Sequence, residues 1–87
     1  MKKEFTMDEA EALGILVGID FDVVDLDQFR QGLAIELEHG TNDPETNVTD
    51  DDAVITAKIA WAHLKEIPDY YTRLSAMEAE AEAEVKA

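Results

Sequence analysis

The chain has no cysteine. Disulfides, thiolate nucleophiles and thiolate metal sites are therefore excluded. Positive charge is scarce, with 7 Lys and Arg against 21 Asp and Glu, a net charge of -14. A protein that grips nucleic-acid phosphates needs a basic face, so direct nucleic-acid binding is not expected. No apolar run approaches the ~18 residues of a membrane span, and no membrane association is expected. Met1-Lys2-Lys3 is basic but is followed by Glu4 and Asp8 without an apolar stretch, so no signal peptide is read there. The four glycines are isolated, which removes a phosphate-cradling loop and a dinucleotide fingerprint. Ser75 is the only serine and has no histidine near it in sequence, which leaves no nucleophilic triad. An enzyme is not expected. The expected setting is cytoplasmic.

What is present fits one small domain over residues 1–87, because 87 residues rarely hold two cores. Apolar residues make up 46% of the chain, but alanine supplies much of that share. One compact helical core is affordable, and repulsion among the acids weakens it at low salt.

The fold class read from periodicity is all-α, with four helices near 7–17, 26–39, 50–66 and 69–84. Thr6 and Glu9 form a capping box at the first start, and Gly18 supplies its stop. Ile19 to Val24 reads as an extended connector that drops Phe21 into the core. Asp25 and Gln28 open the second helix as cap and third-position partner. Leu26, Phe29, Leu33 and Leu37 give it one apolar stripe, with Ile35 on the opposite side. His39 and Gly40 suit a helix end. Asn42-Asp43-Pro44 is turn chemistry. The third helix is read from Thr49, with Asp50, Asp51 and Asp52 in its first turn. Its broad apolar arc predicts the most buried helix of the four. Pro68 breaks the chain before the last helix, whose Ala-Glu alternation from Glu78 onward has little to bury. That end is expected to be acidic and partly frayed, with residues 1–5 and about 79–87 flexible.

The constellation with metal-site chemistry uses both histidines. Glu36 and His39 are three apart on one helix, and His63 and Glu66 are three apart on the next. Antiparallel packing brings both pairs to the same end of the bundle. Two carboxylates and two imidazoles suit Zn, Fe or Mn, so a divalent metal ion is the cofactor to consider, with none as the simpler expectation. The simpler reading of the same four residues is a structural polar cluster. A calcium loop from Asp43 to Val54 fails, because Val48 and Val54 stand where Gly and Glu are needed. Asp50, Asp51 and Asp52 are read as partner-facing carboxylates, with helix capping as the plainer role. Tyr70 and Tyr71 are adjacent, so one packs inward and the other is free to anchor a partner.

Gln31-Gly32-Leu33 followed by Glu36-Leu37-Glu38-His39-Gly40 resembles a small uncharacterised family of bacteria, archaea and their viruses. Thr46 to Asp52, Lys58-Ile59-Ala60, Ala62-His63-Leu64, Glu66, Pro68-Asp69-Tyr70-Tyr71, Arg73-Leu74 and Met77-Glu78 belong to the same pattern. The resemblance covers more than half of the chain and implies no activity. It groups Glu36, His39, His63 and Glu66 in one pattern. It also implies that a viral or mobile-element source is plausible, with the host cytoplasm as the setting.

Two functions are expected from these features. The first is an acidic interaction module that engages a basic partner protein. A nucleic-acid-mimicking inhibitor is its special case, natural if the source is a phage. The second is a metal-binding helical bundle on Glu36, His39, His63 and Glu66. A homodimer through Ile35 is compatible with either.

Overall fold

A computed structural model describes residues 4–86 of the chain. The described residues form four α-helices and no strand: α1 Met7–Val17, α2 Leu26–Glu36, α3 Ala53–Glu66 and α4 Tyr70–Lys86. The fold class is all-α, as the periodicity predicts.

Helix α1 has the predicted bounds because both of its ends are chemically specified. The Glu9 N–H donates to Thr6 Oγ1 and the Thr6 N–H donates to a Glu9 carboxylate oxygen, completing the capping box. Gly18 takes the left-handed conformation, φ 100°, that ends the helix. Helix α2 starts at its predicted cap, where the Gln28 N–H donates to Asp25. It stops at Glu36 instead of His39. Leu37–His39 is a tighter 3-10 turn, a common way for a last turn to finish.

Helix α3 begins at Ala53, three residues later than predicted. Asp50 and Asp51 adopt left-handed backbone, φ 51° and 61°, and cannot enter the helix. Asp tolerates that region better than most residues. Asp52 is the cap, accepting from the Ile55 N–H. The connector after α1 also differs from expectation. Ile19 and Val24 are its buried residues. Phe21 is half-buried, its ring tilted on Phe29 at 5.7 Å.

Helix α2 is the central element, in place of the predicted α3. It packs on α1, α3 and α4 and contributes Phe29, Leu33 and Glu36 to the buried set. Helix α3 buries Thr56, Ala57, Ala60 and Leu64, but leaves Val54 and Ile55 in water. Its broad apolar arc is therefore only part-covered. Complete burial of Phe29, Leu33 and Tyr71 contributes about 1.5–3 kcal/mol each before entropy is counted.

Helix α4 changes character along its length. Tyr71 is fully buried and Leu74 half-buried, whereas every residue from Ser75 to Val85 is exposed. Residues 79–86 continue the helix. Of the segments expected to be flexible, residues 1–3 and 87 lie outside the described residues.

Candidate functional site

The site forms where the end of α2, the last turns of α3 and the start of α4 meet. Glu36 is its centre. Of the acidic residues, Glu36 is the one that is buried; Asp27 and Asp51 are half-buried and the others are exposed. A buried carboxylate needs partners, and Glu36 has three neighbours able to supply hydrogens. The Tyr71 hydroxyl donates to Glu36 Oε2 at 2.7 Å. His63 Nε2 stands 3.5 Å from the same oxygen. His39 Nε2 stands 4.0 Å from Oε1. Among the described residues, no buried side-chain nitrogen or oxygen lacks a hydrogen-bond partner.

The tyrosines are placed by specific contacts. Gln28 reaches across from α2 to the start of α4. Its Oε1 accepts from the Tyr71 N–H at 3.1 Å, and its Nε2 donates to Thr72 Oγ1 at 2.6 Å. The first turn of α4 thus has an orphan N–H satisfied by another helix. Sequence reasoning assigns Gln28 to the cap of its own helix, and the structure corrects that assignment. Gly32 allows the Tyr71 ring to lie flush on α2, since a Cβ at this position would collide with the ring edge and crowd Ala60. Tyr70 stacks on His63, with ring centroids 4.3 Å apart and planes 8° from parallel. It meets Tyr71 edge-on at 5.0 Å.

This arrangement holds the Tyr71 phenol in its protonated form well above the ordinary 10.0. Burial is the main cause, followed by the hydrogen bond to Glu36 and the Glu36 charge. The cluster therefore stores a proton on Tyr71 and does not offer it readily to solvent.

The loop after α2 is fastened to the same end. The His39 carbonyl accepts from the N–H groups of Val48 and Thr49. Asp51 accepts from both the N–H and the hydroxyl of Thr41. Asn47 accepts from the Asp50 N–H.

Three of the four residues predicted as metal ligands, Glu36, His39 and His63, come together. Glu66 is exposed at the end of α3, and among the described residues no hydrogen bond or ion pair joins it to them. The described residues contain no group of three His, Asp or Glu placed to hold a metal ion as the chain stands. The predicted partner-facing residues divide. Asp50 is exposed, Asp51 is occupied with Thr41, and Asp52 is the cap of α3. Tyr71 is the member of the pair that packs inward, so of the two residues named as partner-facing it is unavailable to a partner. Tyr70 remains half-buried. Sequence reasoning missed Gln28 and the Tyr71–Glu36 bond. Gly32, a glycine inside a helix stripe, is the signal that could have pointed to a ring packed on that face.

A family model described as a protein of unknown function, DUF5661, matches residues 10–80. The chain belongs to the DUF5661 family. The matched span holds every residue of the Glu36 cluster, and the last residues of α4 lie beyond it. For this DUF5661 chain, neither the curated proteins nor the solved structures yield a match. None of the described helices is long and apolar enough to cross a membrane.

Proposed function

We propose that this chain is a non-enzymatic interaction module that engages a basic partner protein through its carboxylate surface. The observation that carries the reading is the excess of acids, 21 Asp and Glu against 7 Lys and Arg, with cations of the described residues engaged close to home. Arg30 and Arg73 are both taken up by neighbouring carboxylates, Asp27 in α2 and Asp69 just before α4, at 2.7 Å. Lys65 lies over the Trp61 ring, 4.4 Å from its centroid. The exposed acids on α1, in the loop after α2 and on α4 therefore project a field of one sign. Such a field speeds encounter with a basic partner and weakens with salt.

The nucleic-acid decoy is the less favoured form of this reading. Glu78 and Glu82 share one side of α4, and Glu80 and Glu84 share the opposite side, at ~100° per residue. A single DNA-binding groove would meet only one of these short rows. The expected source of the chain, prokaryotic or viral, and its cytoplasmic setting belong to the same proposal.

The test is isothermal titration with a lysine-rich peptide, such as a lysine octamer, at low and at near-physiological salt. Binding that weakens steeply with salt supports the module. Absence of binding at low salt removes it.

A second reading, a divalent metal centred on Glu36, draws on the approach of His39 and His63 to opposite carboxylate oxygens. An ion would need to pull His39 inward and compete with Tyr71 for Oε2. A thermal melt of metal-stripped protein with Zn, Fe(II) or Mn tests it, because a ligand of the folded state alone raises the midpoint. A selective rise abolished by His63→Ala favours this reading, and flat curves for every ion remove it.

A further inference from the structure

A groove of about 620 Å³ runs between the second half of α2, the loop after it and the start of the described chain. Ala34, Ile35 and Leu37 form an apolar floor. All three are half-buried; Ile35 stands on the side of α2 away from Leu33, Ala34 lies on its flank, and Leu37 belongs to the 3-10 turn that follows. Glu4, Glu38 and Asp43 supply carboxylates around it, and among the described residues no Lys or Arg lines it. The size falls within the ~300–1,000 Å³ of ordinary ligand pockets, and the apolar floor with a few charged groups is their usual make-up.

We infer that this groove is where the basic partner docks, through a short amphipathic segment of that partner. Its aliphatic side chains would cover Ala34, Ile35 and Leu37, and its lysine or arginine heads would reach Glu4, Glu38 and Asp43. The inference rests on the basic-partner reading and narrows it to one face. Charge selects the occupant. A second copy of a chain with net charge -14 would bring carboxylates against carboxylates. A nucleic acid carries the wrong sign. A lysine-rich segment without apolar side chains would leave the floor in water, whereas an amphipathic one satisfies floor and rim together.

The experiment compares two labelled probes by fluorescence anisotropy: an amphipathic leucine/lysine peptide and a glycine/lysine peptide of equal length and charge. Each is titrated into the native chain, the double variant Glu38→Gln/Asp43→Asn, the single variant Ile35→Ser, and a control, Glu80→Gln/Glu82→Gln. The double and control variants remove the same amount of charge. The expected result is tighter binding of the leucine/lysine peptide. The groove double variant should weaken it about five- to tenfold, and the control less than about twofold, since rim charges contribute modestly one by one. Ile35→Ser should weaken the leucine/lysine probe and leave the glycine/lysine probe unchanged. If both probes bind equally and groove and control variants act alike, the groove is overturned while the basic-partner reading stands. If neither probe binds at low salt, both fall. Circular dichroism checks that each variant keeps its helices. As a second readout, amide shifts in the native chain on adding the leucine/lysine probe should centre on Ile35, His39 and Thr46. Shifts centred on α4 overturn the assignment.

Discussion

At the start of α4, Tyr70, Tyr71 and Leu74 lie against the rest of the molecule, while every residue from Ser75 to Val85 is exposed. The same helix is therefore stabilised by two different means. At its start, Gln28 satisfies a backbone N–H, Gly32 makes room for a ring, and Glu36 receives a hydroxyl. Nothing in the propensities of Tyr or Thr favours helix there. From Ser75 to Val85 no side chain is buried, and alanine and glutamate are helical by intrinsic preference. Position in the fold is specified by the first part alone. The second part adds reach and negative charge. A helix can thus be well formed without contributing to the core, and a count of helical residues overstates what holds this protein together.

The contrast breaks most severely at Tyr71. Tyr71→Ala should cost about 3–5 kcal/mol from the cavity alone, a large fraction of the stability of so small a domain. Thermal unfolding followed by circular dichroism should show α1 to α3 broadened or lost. Tyr71→Phe keeps the ring and removes the donor to a buried carboxylate, at an expected cost of about 1–3 kcal/mol. Adding Glu36→Gln to that variant tests the pairing. A double-mutant cycle with no coupling between the two positions would show that the hydrogen bond contributes nothing.

A backbone argument sets the next effect. Gly32→Ala gains about 1 kcal/mol in helix propensity but forces its Cβ into the Tyr71 ring, an overpacking cost of about 1–3 kcal/mol. The expected net change is a small loss, read as a lower midpoint in urea. A midpoint that rises would mean the ring moves aside freely.

Alkaline titration sharpens the same comparison. The Tyr71 pKa is raised by folding, so its contribution is fully present below the ordinary phenol value and is lost as pH rises towards the folded value. Its phenolate absorbance should therefore appear together with loss of helix. Ionisation of Tyr71 while the helices persist would contradict its burial.

The smallest effect belongs to the free end. Replacing Glu78, Glu80, Glu82 and Glu84 by Gln should change stability by no more than about 0.5 kcal/mol, as for surface positions elsewhere. A slight gain at low salt is expected from reduced repulsion. A loss as large as that of Tyr71→Phe would mean this end packs on something.

Much of this pattern was legible in the residues. Thr6 with Glu9 and Gly18 are local signals, and local signals set α1 to the residue. The spacing of Glu36, His39 and His63 announced a shared polar end, since helical geometry alone places side chains three apart on one face. What stayed hidden depends on which surfaces meet. Gln28 could cap its own helix or reach another, and only the packing of α4 decides. Asp50 and Asp51 look like first-turn acids. Their left-handed backbone follows from Asn47, Thr49 and Thr41 gripping the loop, a set of contacts with no periodic signature. The groove on α2 was foreshadowed only by Ile35 standing off the main stripe.

The bonds from Gln28 and Glu36 to α4 join residues 35 to 44 positions apart in sequence. During synthesis at ~5–20 residues per second, Glu36 is made roughly 2 to 7 s before Tyr71 exists. Through that interval its carboxylate has no buried place to occupy and must remain hydrated. The nascent chain can therefore pair α1 with α2 early, but the end of α2 stays open. The arrival of the two tyrosines closes it, so a buried charge made early in synthesis waits for partners made later.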